Sequence, residues 1–247
     1  MIKSFYTALI FVFCFTGLAF GQRPPAWGGG ADLNDFSFGF SFSYISSYLK
    51  INKQPDWTTP FADPETGAPL TGNATSISSP NSPGFAVGFL ARYRLTDHLE
   101  ARVTPSLVFA DRKLIYTYDS PDPETQVITK QINTTGFDLP LQLKLKSDRI
   151  GDLRGYMIGG VKLSQSLGRK NPDADKGLLE KTVKIDRTFA SYEVGLGCDI
   201  YFEFFKLSPE IKISNSFGNV LVPENHPASY PLSGLRLHTL QFSLYFE

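Results

Sequence analysis

Three histidines, His98, His226 and His238, are the side chains best suited to move a proton near neutral pH, so they are the first test for catalysis. His98 ends the short polar stretch Thr96-Asp97-His98, His226 lies in a long Pro- and Asn-bearing segment, and His238 precedes the closing alternating run. Their positions give no sign of convergence, and no local signature brings a serine and an acid to any of them, as a Ser-His-Asp hydrolase requires. No Cys or His cluster has zinc-like spacing, and Asp119, Asp122 and Glu124 lack the pattern of a calcium loop. The sequence therefore assigns no catalytic residue, no metal ligand and no cofactor, and the expectation is a non-enzymatic protein.

A second kind of chemistry resides in charges that recur at every other position. Arg92, Arg94, Glu100, Arg102, Asp138, Lys144, Glu193, Lys206, Glu210 and Lys212 each alternate with apolar neighbours. Side chains at alternate positions of a strand share a face, so these ten are expected to face the inside of a barrel. They could line a path or neutralise one another. A barrel of eight strands is filled by its own side chains, which favours a salt-bridged plug over a channel.

The elements that position these charges are all strands. Phe36, Phe38, Phe40, Phe42 and Tyr44 alternate with Ser37, Gly39, Ser41 and Ser43, which puts aromatic groups on one side and small polar ones on the other. A soluble sandwich needs bulky groups facing inward, so this inversion points to a lipid-facing wall. The period returns at Phe85–Leu95, Leu99–Phe109, Phe137–Lys146, Leu153–Leu167, Tyr192–Ile200 and Phe205–Ile213. It closes the chain, where Leu240, Phe242, Leu244 and Phe246 oppose Thr239, Gln241, Ser243, Tyr245 and Glu247. Short turns near 96–98, 147–152 and 202–203 alternate with long segments at about 51–83, 119–125, 169–180 and 215–234. The fold expected is all-β: an eight-stranded antiparallel transmembrane β-barrel with four long extracellular loops and short periplasmic turns. Pro105, Pro140 and Pro209 fall inside strands, where bulges are expected, because a closed barrel has no edge to hide a missing donor.

Composition agrees with this reading. The 247 residues include 21 Phe and 11 Tyr but only two Met and two Trp. No segment after the first 21 residues approaches the roughly 20 apolar residues of a membrane helix. Lys3, the apolar run from Ala8 and the small residues Ala19 and Gly21 read as a secretory signal cut before Gln22. The expected organisation is signal peptide 1–21, periplasmic segment 22–35 and barrel 36–247, exported to the outer membrane of a Gram-negative bacterium. Loss of Lys3 leaves 23 basic against 24 acidic residues, a net charge of about −1 that gives no reason to expect nucleic acid as a partner. Cys14 leaves with the signal, so Cys198 has no disulfide partner within the chain.

The last loop is the most distinctive surface. Phe217, Asn219, Val220, Leu221, Val222, Pro223, Asn225, His226, Pro227 and Tyr230 form its candidate partner-binding set. Val220, Leu221, Val222 and Tyr230 are apolar groups that a solvated loop does not need; two readings stand open, that they fold back over the barrel mouth or that they dock a partner. The first loop, with Trp57, Phe61 and many Pro, Gly, Ser and Thr residues, is expected to be mobile.

With these elements placed, the sequence resembles the PorT family of Bacteroidota outer-membrane barrels, called SprT in gliding species. The likeness rests on Asp138-Leu-Pro-Leu-Gln-Leu-Lys144, Gly159-Gly-Val-Lys-Leu163, Leu207-Ser-Pro-Glu-Ile-Lys212 and the end from Asn215 to Glu247. The first of these elements recurs in many barrels, whereas Asn-His-Pro in the last loop and the closing Leu-Tyr-Phe-Glu resemble PorT more narrowly. The resemblance implies a component of type IX protein secretion, and of gliding motility where present, with protein partners in that apparatus and outer-membrane lipid around the wall. The alternative is a general small barrel that binds ligands or surfaces through its loops.

Overall fold

The computed structural model describes residues 32, 34–120, 126–168 and 177–247, with the side chains of 133 and 134 left aside. The signal peptide expected at 1–21 and most of the segment at 22–35 lie outside these residues. The described strands are β1 (Phe36–Lys53), β2 (Asn73–Ser78), β3 (Ser82–Arg94), β4 (Leu99–Val103), β5 (Ser106–Asp119), β6 (Val127–Lys146), β7 (Leu153–Ser166), β8 (Lys184–Ile185), β9 (Thr188–Tyr201), β10 (Lys206–Ser216), β11 (Leu221–Val222) and β12 (Leu232–Phe246).

Antiparallel pairing runs from β1 through β3, the β4 and β5 segments, β6, β7, β9 and β10 to β12. β12 then returns to β1, from Phe246 opposite Phe40 up to Leu232 opposite Lys53. The sheet closes into an eight-membered ring because β4 and β5 are two halves of one wall strand. Closure leaves no free edge along the spanning part, as a membrane interior with no water requires.

The bulges expected at the three prolines are absent. Pro140 stands opposite Lys162 and Pro209 opposite Leu244, each in an unbroken register. At Thr104-Pro105 the strand parts into β4 and β5, yet both halves keep one register against β3 and against β6. Proline lacks only the donor. Its carbonyl still serves the ladder, since the Phe89 amide donates to Pro105 O at 2.9 Å and the Thr104 amide to Pro140 O at 3.4 Å. The local cost is the missing N–H of each proline, and the register survives.

Apolar groups cover the outside of the wall, from Phe38 and Phe89, both more than 70 % exposed, to Leu143, Val194, Ile211 and Phe242. The end holding Phe36 and Phe246 also carries the three short connections at 95–98, 147–152 and 202–205. One of these needs Gly151, whose φ of +60° suits a residue without a Cβ. The longer connections lie at the opposite end, the extracellular side in barrels of this type.

Among the described residues, the first long connection carries more structure than expected. Its β2 extends the wall by pairing Asn73–Ser78 with Asp119–Ile115 of β5, and Phe61 is 5 % exposed. The last connection lies beside the third through the pairing of Leu221 with Ile185 and Val222 with Lys184.

Candidate functional site

The barrel interior and its cover form the site, and the two differ in chemistry. In the periplasmic half Arg92, Glu100, Arg102, Lys144, Lys146, Glu193, Asp199, Lys206, Glu210 and Lys212 are all buried. Alternation dictates this: each sits one residue from a lipid-facing apolar group and points the other way.

Pairing organises these charges into a continuous cluster. Arg92 Nη1 reaches Glu100 Oε1 at 3.0 Å, Arg92 also pairs with Glu247, and Glu100 pairs with Lys146. Lys144 Nζ contacts both carboxylate oxygens of Asp199, at 2.7 and 2.8 Å, while the Ser208 hydroxyl donates to Asp199 at 2.6 Å. Higher in the barrel Arg102 Nη2 meets Glu210 Oε2 at 2.9 Å, and its Nε donates to Gln142 at 3.2 Å. Gln142 in turn donates to Glu193, and Lys212 lies 3.7 Å from Glu193 and 3.8 Å from Glu210. Each ion taken from water needs such partners, because an unpaired buried charge costs several kcal/mol.

Two tyrosines complete the packing. Tyr156 OH donates to Glu210 at 3.1 Å with the Lys144 ammonium 3.8 Å from its ring centre, and Tyr245 OH donates to Glu210 at 3.3 Å with the Arg102 guanidinium 4.2 Å from its ring. Gly197, opposite Tyr156 in the register, gives that ring its space, since a Cβ there would collide with the phenol.

The interior set expected from the sequence divides cleanly. Nine of the ten charges point inward, with Asp138 near the mid-barrel pairing to Lys162 at 3.1 Å. Arg94 sits lower, at the periplasmic rim, 3.1 Å from Asp35. Lys146, Lys162, Asp199 and Glu247 belong to the same network. Parity placed Lys146, Asp199 and Glu247 on the inward face, whereas Gly159 and Gly160 blurred the pattern around Lys162. Asp32 has no strand pattern to reveal it, yet its carboxylate lies 3.4 Å from Arg154 and 3.7 Å from Lys206 at the barrel base and accepts a hydrogen bond from Tyr201.

The extracellular half holds an apolar cluster instead: Leu49, Ala74, Ile77, Leu114, Tyr116, Val183, Val220, Leu221, Leu232 and Leu235, each no more than 6 % exposed. The candidate partner-binding set is therefore split. Val220, Leu221, His226 and Pro227 are buried and Val222 is half-buried, so this part folds back over the mouth. Phe217, Asn219, Pro223 and Asn225 remain exposed, and Tyr230 is half-buried with its hydroxyl donating to Asp56 at 2.8 Å. Tyr116 OH fixes the cover by donating to Ala228 O at 2.6 Å, Asn219 Oδ1 accepts from the amides of Leu221 and Leu235, and Lys184 holds Glu224 at 2.6 Å.

Residues 21–222 match the family described as outer membrane protein beta-barrel domain. The chain belongs to this family. As a family member it is an outer-membrane β-barrel whose apolar wall contacts lipid. Similar solved structures include the outer membrane protein OprG from Pseudomonas aeruginosa, 12 % identical over 89 % of this chain and 95 % of that one, with a TM-score of 0.45. Neisserial surface protein A is 10 % identical over 86 % and 98 %, with a TM-score of 0.40. Ail, the attachment invasion locus protein of Yersinia pestis, is 13 % identical over 86 % and 99 %, with a TM-score of 0.35. No curated protein matches the sequence. Among the described residues no group of three or more His, Cys, Asp or Glu side chains is arranged to hold a metal ion.

Proposed function

We propose that this barrel is a non-enzymatic structural component of the type IX protein secretion apparatus, serving scaffolding or assembly rather than conduction. The observation that carries the structural half of this reading is double occlusion. Ion pairs fill the periplasmic half, and a loop cover with an apolar underside closes the other. A barrel filled in this way offers its wall and loops to partners and no route to a folded cargo.

The link to type IX secretion rests on the PorT-like segments Asp138–Lys144, Gly159–Leu163, Leu207–Lys212 and Asn215–Glu247. They fall on β6 with its neighbour β7, and on β10 with its neighbour β12 and the cover between them. Shared segments gathered on adjacent strands would suit a common lateral surface as well as a common lid. The exposed residues Phe217, Asn219, Pro223 and Asn225 offer a partner a surface without unfolding the cover.

Clean deletion in the source organism, followed by quantitative proteomics of the medium, tests the proposal. Loss of proteins bearing the type IX C-terminal domain, restored by a plasmid copy, is expected. A second strain carrying Pro223→Ala and Asn225→Ala should assemble the barrel yet secrete poorly. An unchanged secretome on deletion would reject the secretion role and favour the general loop-binding barrel.

A further inference from the structure

On the outer wall, just beyond the apolar belt, two cations stand opposite each other. Lys50 of β1 is the register partner of Arg236 of β12, and both are exposed. Directly opposed like charges on one face of an antiparallel pair repel, with Cβ atoms about 5 Å apart. Neither side chain makes an ion pair with an acid among the described residues. Two acids of the loops are engaged elsewhere, Asp56 by the Tyr230 hydroxyl at 2.8 Å and Glu224 by Lys184 at 2.6 Å. A third cation nearby, Lys53, lies over the Trp57 ring at 3.6 Å.

The level of the pair identifies its counter-ion. Going up β1, the outward groups are Phe38, Phe40, Phe42 and Tyr44, then Ser46, then Tyr48, which packs against His238 with ring centres 4.8 Å apart. A tilted strand crosses a bilayer in about 9 to 11 residues, and on β12 the outward run from Phe246 through Leu240 to His238 covers that length, which puts His238 and its register partner Tyr48 at the far boundary. Aromatic groups with a polar end belong at that boundary. One step higher, Lys50 and Arg236 are level with lipid headgroups. Phe217, exposed just past the end of β10, the other neighbour of β12, packs against Tyr192 with ring centres 5.6 Å apart and adds apolar surface at this level.

We infer that Lys50 and Arg236 form a binding site for a phosphate of an outer-leaflet lipid, with Tyr48, His238 and Phe217 against its upper acyl and sugar region. A phosphate between the two cations turns their repulsion into two charge-assisted hydrogen bonds. Arg236 offers a planar fork for the phosphate oxygens and Lys50 a point charge.

The test uses the refolded full barrel and the variants Lys50→Gln, Arg236→Gln and the double. In non-ionic detergent, relief of repulsion should raise the unfolding temperature of each single variant above wild type. In phosphatidylcholine bilayers containing diphosphoryl lipid A, the order should reverse. Native mass spectrometry should then find lipid A retention at least tenfold lower for the double variant. Lys113→Gln, also outward but on β5, should change neither readout. Dephosphorylated lipid A should bind wild type no better than the double variant, and millimolar inorganic phosphate should not displace the lipid. Equal retention of diphosphoryl lipid A by wild type and double variant, retention of the phosphate-free lipid by wild type as strong as that of diphosphoryl lipid A, or displacement by inorganic phosphate would each overturn the assignment. So would the absence of the reversal, which would leave the pair as a contact for an acidic protein partner.

Discussion

The strands of this barrel carry opposite patterns in their two halves. On β1 the apolar groups point outward from Phe36 to Tyr44 and inward at Ile45, Leu49 and Ile51. β12 repeats the exchange in reverse chain order, with Leu235 and Leu237 inside and Leu240, Phe242, Leu244 and Phe246 facing out. β5 does so between Phe109 and Leu114, and β6 between Ile132 and Phe137. The periplasmic half is thus a membrane barrel with ions inside, and the extracellular half resembles a water-soluble barrel with an oily inside. The difference teaches that the solvent outside sets the wall's face, and that the inside takes whatever the outside does not use. Once lipid gives way to water, the hydrophobic effect returns as a driving force for filling the lumen.

The two halves should therefore fail differently. Glu210→Ala leaves Arg102 and Lys212 buried without their shared acid, and about 3 to 5 kcal/mol of barrel stability is expected to vanish in urea unfolding from bilayers. Replacing both partners, Arg102→Met with Glu210→Leu, should recover most of that loss; if the double variant is no better than the single, the ions stabilise by more than mutual compensation. Leu235→Ala opens a cavity in the apolar cluster, where about 2 to 5 kcal/mol is typical of a wholly buried leucine. Here the loss should stay local. Hydrogen exchange should quicken through the cover at 217–231 while β6 and β7 keep their protection, and uniform loss would mean that the halves fold as one unit.

The boundary between the halves can be located from outside. Leu143→Arg, on the lipid face of β6, is expected to cost about 2 to 4 kcal/mol, as a cation near the membrane midplane does. Thr117→Arg, outward on the part of β5 paired with β2, should cost at most about 1 kcal/mol. Similar losses at both positions would place the extracellular half of β5 in lipid and erase the distinction.

This exchange of faces also explains what the sequence made legible. The lipid-spanning segments announce themselves because aromatic and aliphatic groups alternate with Ser, Gly and charges, and Phe36–Tyr44 and Thr239–Phe246 fall on strands with the expected facing. The upper continuations, Ile45–Lys53, Ala110–Asp119 and Val127–Gly136, were hidden because the apolar parity flips inside them and the alternating run seems to end. The charged interior could be read for the same reason as the belt, by parity from apolar neighbours. The cover could not: burial of Val220 and Leu221 depends on β8 and β2, elements with two and six residues and no pattern of their own. At Pro105 and Pro140 the sequence displays the missing donor, whereas the carbonyls that keep the register find their partners only in the folded sheet.

The smallest expected effect tests the periplasmic rim, where the contrast between the halves is weakest because both faces meet water. His98, in the turn after β3, and Asp148, in the turn after β6, lie 3.0 Å apart, with side chains 54 % and 90 % exposed. The hydrogen bond from His98, and secondly its charge, hold the Asp148 carboxyl below its ordinary value of 3.8. A carboxylate favoured by the fold contributes above its unfolded-state pKa, and that contribution is lost as pH falls through the lowered value. The exposed setting makes the contribution small and sensitive to salt. Asp148→Asn should therefore lower the unfolding midpoint slightly at about pH 6, and the two proteins should converge as pH falls below the lowered value. A gap that persists at the lower pH would mean that Asp148 shapes its turn by geometry, and that the tie between the two turns rests on the Arg154 side chain, which donates to Ser147 O and Asp97 O at 2.7 Å each.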